Sequence, residues 1–228
     1  MTISTYTELL TAIAQWIGDT GDSDISSNAP DLVTLAEQRI FYGADGPYES
    51  PPLRHRWLET SGDLTISSQT VALPSGFLST RRLYLNTDPK VELDFLPPID
   101  FWFRYTGSVT GKPAAFTIEG ENFVFGRSPD ATYTGKLLYY KKLDALITTA
   151  TNTLLTSAPG VYLYAALLEA AGLGVDDPAK LQSWYGMYRS AVGGLMRSDR
   201  LDRYSGAPLQ IRGDTSNPPQ FKRLARTS

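Results

Sequence analysis

His55 is the only histidine in the chain and lies in Leu53-Arg54-His55-Arg56-Trp57. It is the one side chain here whose ordinary pKa sits near neutral pH. General-base chemistry would require a nucleophile on one side of it and an orienting carboxylate on the other. Nearby in sequence only Glu59 is acidic, and the flanking arginines disfavour its charged form. No G-x-S-x-G elbow supplies a serine nucleophile, so His55 reads as a surface or loop residue. Glu119 and Glu121 flank Gly120, and glycoside hydrolysis needs two carboxylates facing each other across a cleft. Asp22 and Asp24 sit in a short acidic run without the glycine and distal glutamate of a calcium loop, and a solvated linker accounts for them. Asp176-Asp177 precedes Pro178, as a helix cap would. GSVTGK at 107–112 ends like a phosphate-binding loop, but its glycine spacing is wrong and Pro113 stands where Ser or Thr is needed, so it reads as a turn. Arg81-Arg82 reads as a charged strand edge that discourages pairing, with an acidic or phosphate partner as the alternative. With no cysteine, disulfides, thiolate metal sites and cysteine nucleophiles are excluded. No catalytic, metal or cofactor set emerges, and the expectation is a non-enzyme.

The elements that would position these side chains change period twice along the chain. Residues 5–17 carry a Thr5/Glu8 capping box and apolar Leu9, Leu10, Ile13, Trp16 and Ile17 at helical spacing, with Gly18 and Gly21 to end the helix. After a polar linker, Asn28 is placed to cap a second helix with Pro30 in its first turn and Leu32, Leu35, Ala36 and Ile40 on one face. From Trp57 to Lys142 the pattern is short strands: 63–67, 70–73, 82–86, 91–95, 116–119, 123–125 and 133–141. Glu119 to Asn122 reads as a hairpin turn, and Ile99–Tyr105 as one or two helical turns after Pro97-Pro98. Helical period returns over 161–173. A final helix follows from Pro178, with Leu181, Trp184, Tyr185, Tyr188, Val192 and Leu195 as its apolar stripe, weakened at Gly193-Gly194. The predicted fold is α+β: a helical bundle built from both chain ends, with a β-rich insertion and an extended C-terminal arm. The expected divisions are 1–45, 46–150, 151–204 and 205–228.

The arm, SGAPLQIRGDTSNPPQFKRLARTS, shows neither period and has few apolar residues, so burial alone would not offset its ordering entropy. It carries Arg212, Lys222, Arg223 and Arg226 against Asp214, in a chain of formal net charge −3. The rest of the chain is therefore the more acidic part, which argues against a general nucleic-acid binder. MTISTYTELL lacks a basic start followed by an apolar run, and the longest apolar stretch is too short to span a bilayer. The expectation is a soluble protein made in the cytoplasm.

Several runs, in order, resemble the head-to-tail adaptor proteins of tailed bacteriophages. They are Tyr6-Thr7-Glu8-Leu9 through Trp16-Ile17; Pro30-Asp31-Leu32 through Arg39-Ile40; Val71-Ala72-Leu73-Pro74 with Arg81-Arg82-Leu83-Tyr84-Leu85; Gly111-Lys112-Pro113 with Phe116 to Gly120; Leu138-Tyr139-Tyr140; Pro159 with Tyr162 to Leu167; and Arg203-Tyr204-Ser205-Gly206-Ala207-Pro208-Leu209. The likeness runs from about residue 5 to about residue 212 and departs at Phe41–Arg56, where a longer Gly/Pro segment stands. The resemblance implies a structural virion protein in the neck between head and tail. It implies a ring of twelve copies beneath the portal, contacts to a tail or nozzle protein, and a lumen through which DNA passes without sequence-specific binding. It also implies that the arm reaches the portal. Candidate contacts are Leu209, Ile211, Arg212, Phe221, Lys222, Arg223, Leu224 and Arg226: apolar anchors and ion-pair donors. No cofactor or membrane is implied.

Two other readings compete. A virion-associated cell-wall hydrolase would rest on Glu119 and Glu121. A carbohydrate-binding β module would rest on Trp102, Tyr105 and Tyr133, aromatics that a core or a subunit contact explains equally well.

Overall fold

The computed structural model describes residues 2–18, 23–105, 109–173 and 177–203. Its first helix, α1 (Tyr6–Ile17), begins as the sequence predicts. Glu8 N–H donates to Thr5 Oγ1 at 3.3 Å, and Glu8 Oε2 accepts from Thr5 N–H and from both the N–H and hydroxyl of Ser4. Gly18 closes it in the left-handed conformation. The second helix differs from expectation. α2 runs Ser23–Tyr42, with Pro30 inside it and Asn28 within the helix rather than at its cap. Proline removes one hydrogen bond from the ladder. The face Ala29, Leu32, Val33, Ala36 and Ile40 is fully buried, and that burial outweighs the missing bond.

Gly43 follows α2 at φ +86, and a Cβ there would lie 2.7 Å from the Ser50 carbonyl oxygen, so only glycine fits. Ala44 and Ser50 bridge, Leu53 N–H returns to the Ile40 carbonyl, and a 3-10 turn at Arg56–Leu58 leads into the first strand.

Among the described residues, eight strands form two four-stranded sheets. Sheet one has the order β1-β8-β3-β4 and sheet two the order β2-β7-β6-β5. The strands are β1 (Glu59–Ile66), β2 (Thr70–Ala72), β3 (Phe77–Leu85), β4 (Val91–Glu92), β5 (Asp94–Phe95), β6 (Ala115–Glu119), β7 (Asn122–Gly126) and β8 (Tyr133–Lys141). β1 starts four residues before the sequence pattern shows it, because exposed Ser61 and Gly62 hide its alternation, and β3 starts five before, because irregular pairing between Phe77 and Arg82 breaks its alternation. β6 and β7 make the expected hairpin, with Glu119 opposite Asn122 and Gly120 at φ +57. Among the described strand pairs only β5–β6 is parallel. Leu64, Ile66, Leu83, Leu85, Leu137 and Tyr139 of sheet one face Phe116, Phe123 and Phe125 of sheet two, and together they form one hydrophobic core. The short helix α3 (Pro98–Arg104) buries Phe101 fully and leaves Ile99 and Phe103 exposed.

Two one-turn helices, α4 (Leu146–Thr149) and α5 (Thr153–Ser157), escape sequence reading because each is shorter than one helical repeat of pattern. α6 (Pro159–Glu169) is buried nearly all round, through Val161, Tyr162, Leu163, Ala165, Ala166, Leu167 and Leu168. It is the central helix, packed by α1, α2, α5 and α7 (Pro178–Arg203). Asp177 caps α7 by accepting from the N–H groups of Ala179 and Lys180 at 2.9 and 3.3 Å, and the helix continues through Gly193-Gly194. Leu181, Trp184 and Tyr188 are buried, and Tyr185, Val192 and Leu195 pack beside them. This is the α+β architecture expected, with helices from both ends of the chain packed together and two sheets between them in sequence. Leu53, Leu58 and Leu146 join the helical core, and Tyr140 and Leu78 of sheet one pack against it.

Candidate partner-docking site

The eight residues proposed for the partner contact, Leu209, Ile211, Arg212, Phe221, Lys222, Arg223, Leu224 and Arg226, all lie outside the described residues. What is described is the place from which that segment departs, the C-terminal end of α7. Asp199 and Arg203 sit one turn apart on this helix, and Arg203 Nε donates to Asp199 Oδ2 at 2.8 Å. Arg203 Nη2 also donates to Glu59 Oε1 at 2.6 Å, tying the helix end to the start of β1. The same carboxylate oxygen holds Arg81 of β3. Arg56, just before β1, pairs with Asp202 at 2.6 Å. Strand starts and helix end are thus fastened by an alternating row of charges, Arg81–Glu59–Arg203–Asp199, with Arg56–Asp202 alongside.

His55 belongs to this cluster and lies in the irregular stretch before the 3-10 turn, so the loop half of the sequence expectation holds and the surface half is corrected. It is 1% exposed, not a surface residue. Its Nδ1 accepts the Trp57 N–H at 3.2 Å and caps the 3-10 turn, which places the neutral ring's proton on Nε2. Nε2 faces Asp199 Oδ1 at 3.8 Å. Burial lowers the His55 pKa, and the attraction of Asp199 does not reverse that. With Nδ1 bound to backbone and Nε2 turned to a carboxylate, neither nitrogen is available to deprotonate a hydroxyl, so the ring cannot serve in a Ser-His-Asp arrangement.

Burial acts to raise both acids of the row, Glu59 and Asp199. Hydrogen bonds from Arg203 to both acids, with one from Tyr140 to Glu59, outweigh it and leave both pKa values lowered. The two carboxylates in turn raise the pKa of Arg203. The row is charged on both sides at neutral pH and can hold the helix end in register with the sheet.

The other candidate residues take structural places. Glu119 accepts from the Trp102 indole N–H, and it stands on one hairpin turn with Glu121 rather than across a cleft from it. Trp102 and Tyr105 both pack on Phe101, Tyr105 also over Gly126, and Tyr133 donates to Asp130 at 2.6 Å. Lys112 Nζ donates to Thr87 Oγ1 at 3.0 Å, away from any phosphate-loop geometry, and residues 107 and 108 lie outside the described set. Arg81-Arg82 meets acids, Glu59 and Glu92, which was the alternative weighed for it. Asp22, Asp176 and the side chain of Asp24 lie outside the described residues. Among the described residues no group of three or more His, Cys, Asp or Glu is placed to hold a metal, and no helix is long and apolar enough to cross a membrane. Sequence reading missed the charge row. Its one local signal was the i,i+4 spacing of Asp199 and Arg203.

No curated protein matches the chain. A family model matches it from residue 4 to residue 212, across both helical ends, both sheets and the clamped end of α7. The resemblance read from the ordered runs is thereby confirmed: the chain belongs to the SU10 adaptor protein family.

Proposed function

We propose that this protein is a head-to-tail adaptor in the neck of a tailed-phage virion, where twelve copies form a ring between the portal and a tail or nozzle protein. The observation that carries the reading is the adaptor family match over residues 4–212. Supporting it is a chain whose described polar clusters are used up in structural ion pairs and caps. Neighbouring copies in a ring meet through two different faces of each subunit. The acidic body would line a lumen that repels DNA and lets it slide without sequence readout.

In this reading the C-terminal arm docks on the portal, with Phe221 and Leu224 as apolar anchors and Lys222, Arg223 and Arg226 as ion-pair donors. The charge row holds Arg203, the last described residue before the arm, against the start of β1. Electron microscopy of the protein mixed with its portal tests the whole reading, the expected image being a twelve-fold ring beneath the portal. A chain ending at Tyr204 should stay folded and fail to join portal rings. Normal joining by that chain would remove the arm from the mechanism.

A further inference from the structure

The two sheets part at one side of the sandwich, where the chain crosses from β4 to β5 through Leu93. A groove of about 610 Å³ opens there, with apolar walls from Leu78, Leu83, Leu93, Phe95, Phe116 and Ile118. Its size falls in the range of about 300–1,000 Å³ typical of sites that take a ligand. Phe95, on its rim, is 54% exposed. β3 forms one wall. β4 pairs with β3 only at Tyr84 and Leu85, so among the described residues no strand takes the outer edge of Phe77–Arg82. Thr80 is among the residues that line the groove, and its hydroxyl is buried beneath it without a hydrogen-bond partner. An unpaired strand edge beside an apolar floor is suited to an extended segment with alternating apolar side chains.

We propose that the occupant is the near part of this chain's own C-terminal arm, Pro208–Arg212, added as a short strand along β3 with Leu209 and Ile211 turned onto the groove floor. Leu209-Gln210-Ile211 has the required apolar-polar-apolar alternation. The place where the described chain ends argues for the same chain rather than a second copy. Arg203 is held on the Glu59 oxygen that also holds Arg81, and Arg81 lines the groove. β1 and β3 are separated only by β8, so the strand whose Glu59 holds the Arg203 guanidinium lies about 10 Å from β3. The six steps from Arg203 to Leu209 reach about 20 Å when extended. Leu209, Ile211 and Arg212 then belong to the subunit body, and Phe221–Arg226 is left for the partner. The inference does not depend on the portal reading.

The absence of cysteine makes a cross-link test clean. In the full-length chain, Thr80→Cys is combined with Leu209→Cys or with Ile211→Cys, and with Thr227→Cys as the control. The expected result on oxidation is a disulfide within one chain for Leu209→Cys or Ile211→Cys and none for the control. Linkage between chains would assign the groove to a neighbouring copy and overturn the proposal, and so would linkage no greater than the control. Hydrogen exchange supplies a second measurement. Leu209→Asp with Ile211→Asp in the full-length chain should speed exchange of backbone amides in Phe77–Arg82 by about tenfold, with β1 and β7 unaffected. Unchanged exchange in Phe77–Arg82 would equally refute it.

Discussion

Replacing Arg203 with alanine tests how the end of α7 is held. The side chain is 25% exposed and makes two charge-assisted hydrogen bonds, 2.6 Å to Glu59 and 2.8 Å to Asp199. Hydrogen bonds to charged groups contribute about 1.5–3 kcal/mol each, and partial exposure reduces that range. Glu59 keeps Arg81 and Tyr140, and Asp199 keeps His55 and Arg56 nearby, so neither acid is stranded. A loss of about 2 kcal/mol follows, which for a urea slope of about 2 kcal/mol/M lowers the unfolding midpoint by about 1 M. The loss should depend on pH in a set direction. Glu59 and Asp199 have lowered folded pKa values, so their contribution is complete above the unfolded carboxylate range and fades as pH falls through the folded values. Urea midpoints for the natural chain and Arg203→Ala should differ by about 1 M at pH 7 and converge below about pH 4. A difference under about 0.3 M at pH 7, or one undiminished at pH 3, would refute the reasoning.

Because His55 is the only histidine, its proton NMR titration is free of overlap and should give a midpoint below about 6.5. A midpoint at or above that value would mean that Asp199 outweighs burial. The same shift makes stability fall as pH drops from about 6.5 toward the folded value, since the unfolded chain takes up the proton first. Gly43→Ala should lower stability by about 1–3 kcal/mol, from the left-handed backbone and the contact with the Ser50 carbonyl, read as a drop in thermal midpoint. Tyr162→Phe should cost about 1 kcal/mol by removing the acceptor of the Asn152 side-chain N–H, and Asn152 should still cap α5. An unchanged denaturation midpoint would show that the bond contributes nothing.

Much of the fold was legible because its signals are short-range. The Thr5/Glu8 box, the Asp177-Pro178 start of α7 and the Gly120 hairpin each act within a few residues of themselves. α2 was misread at its beginning because Asn28 and Pro30 read locally as a helix start, and the buried face that lets the helix run through Pro30 exists only once α6 is in place. α4 and α5 were missed because one helical turn carries too little pattern to read.

The candidate site divides the same way. The arm's composition and its basic excess can be read directly, as can the ordered runs that point to the adaptor family. His55 read as a surface or loop residue between two arginines, and its burial was not legible because its neighbours in sequence say nothing of what will cover it. Asp199 reaches it only after α7 has crossed back over the start of β1, and Arg203 meets Glu59 across a separation of 144 residues. The sequence by itself determined periods, caps and composition, since those depend on residues that are always neighbours. Tertiary packing alone decided burial and charge pairing, because both depend on which distant groups are brought within a few ångströms and out of water.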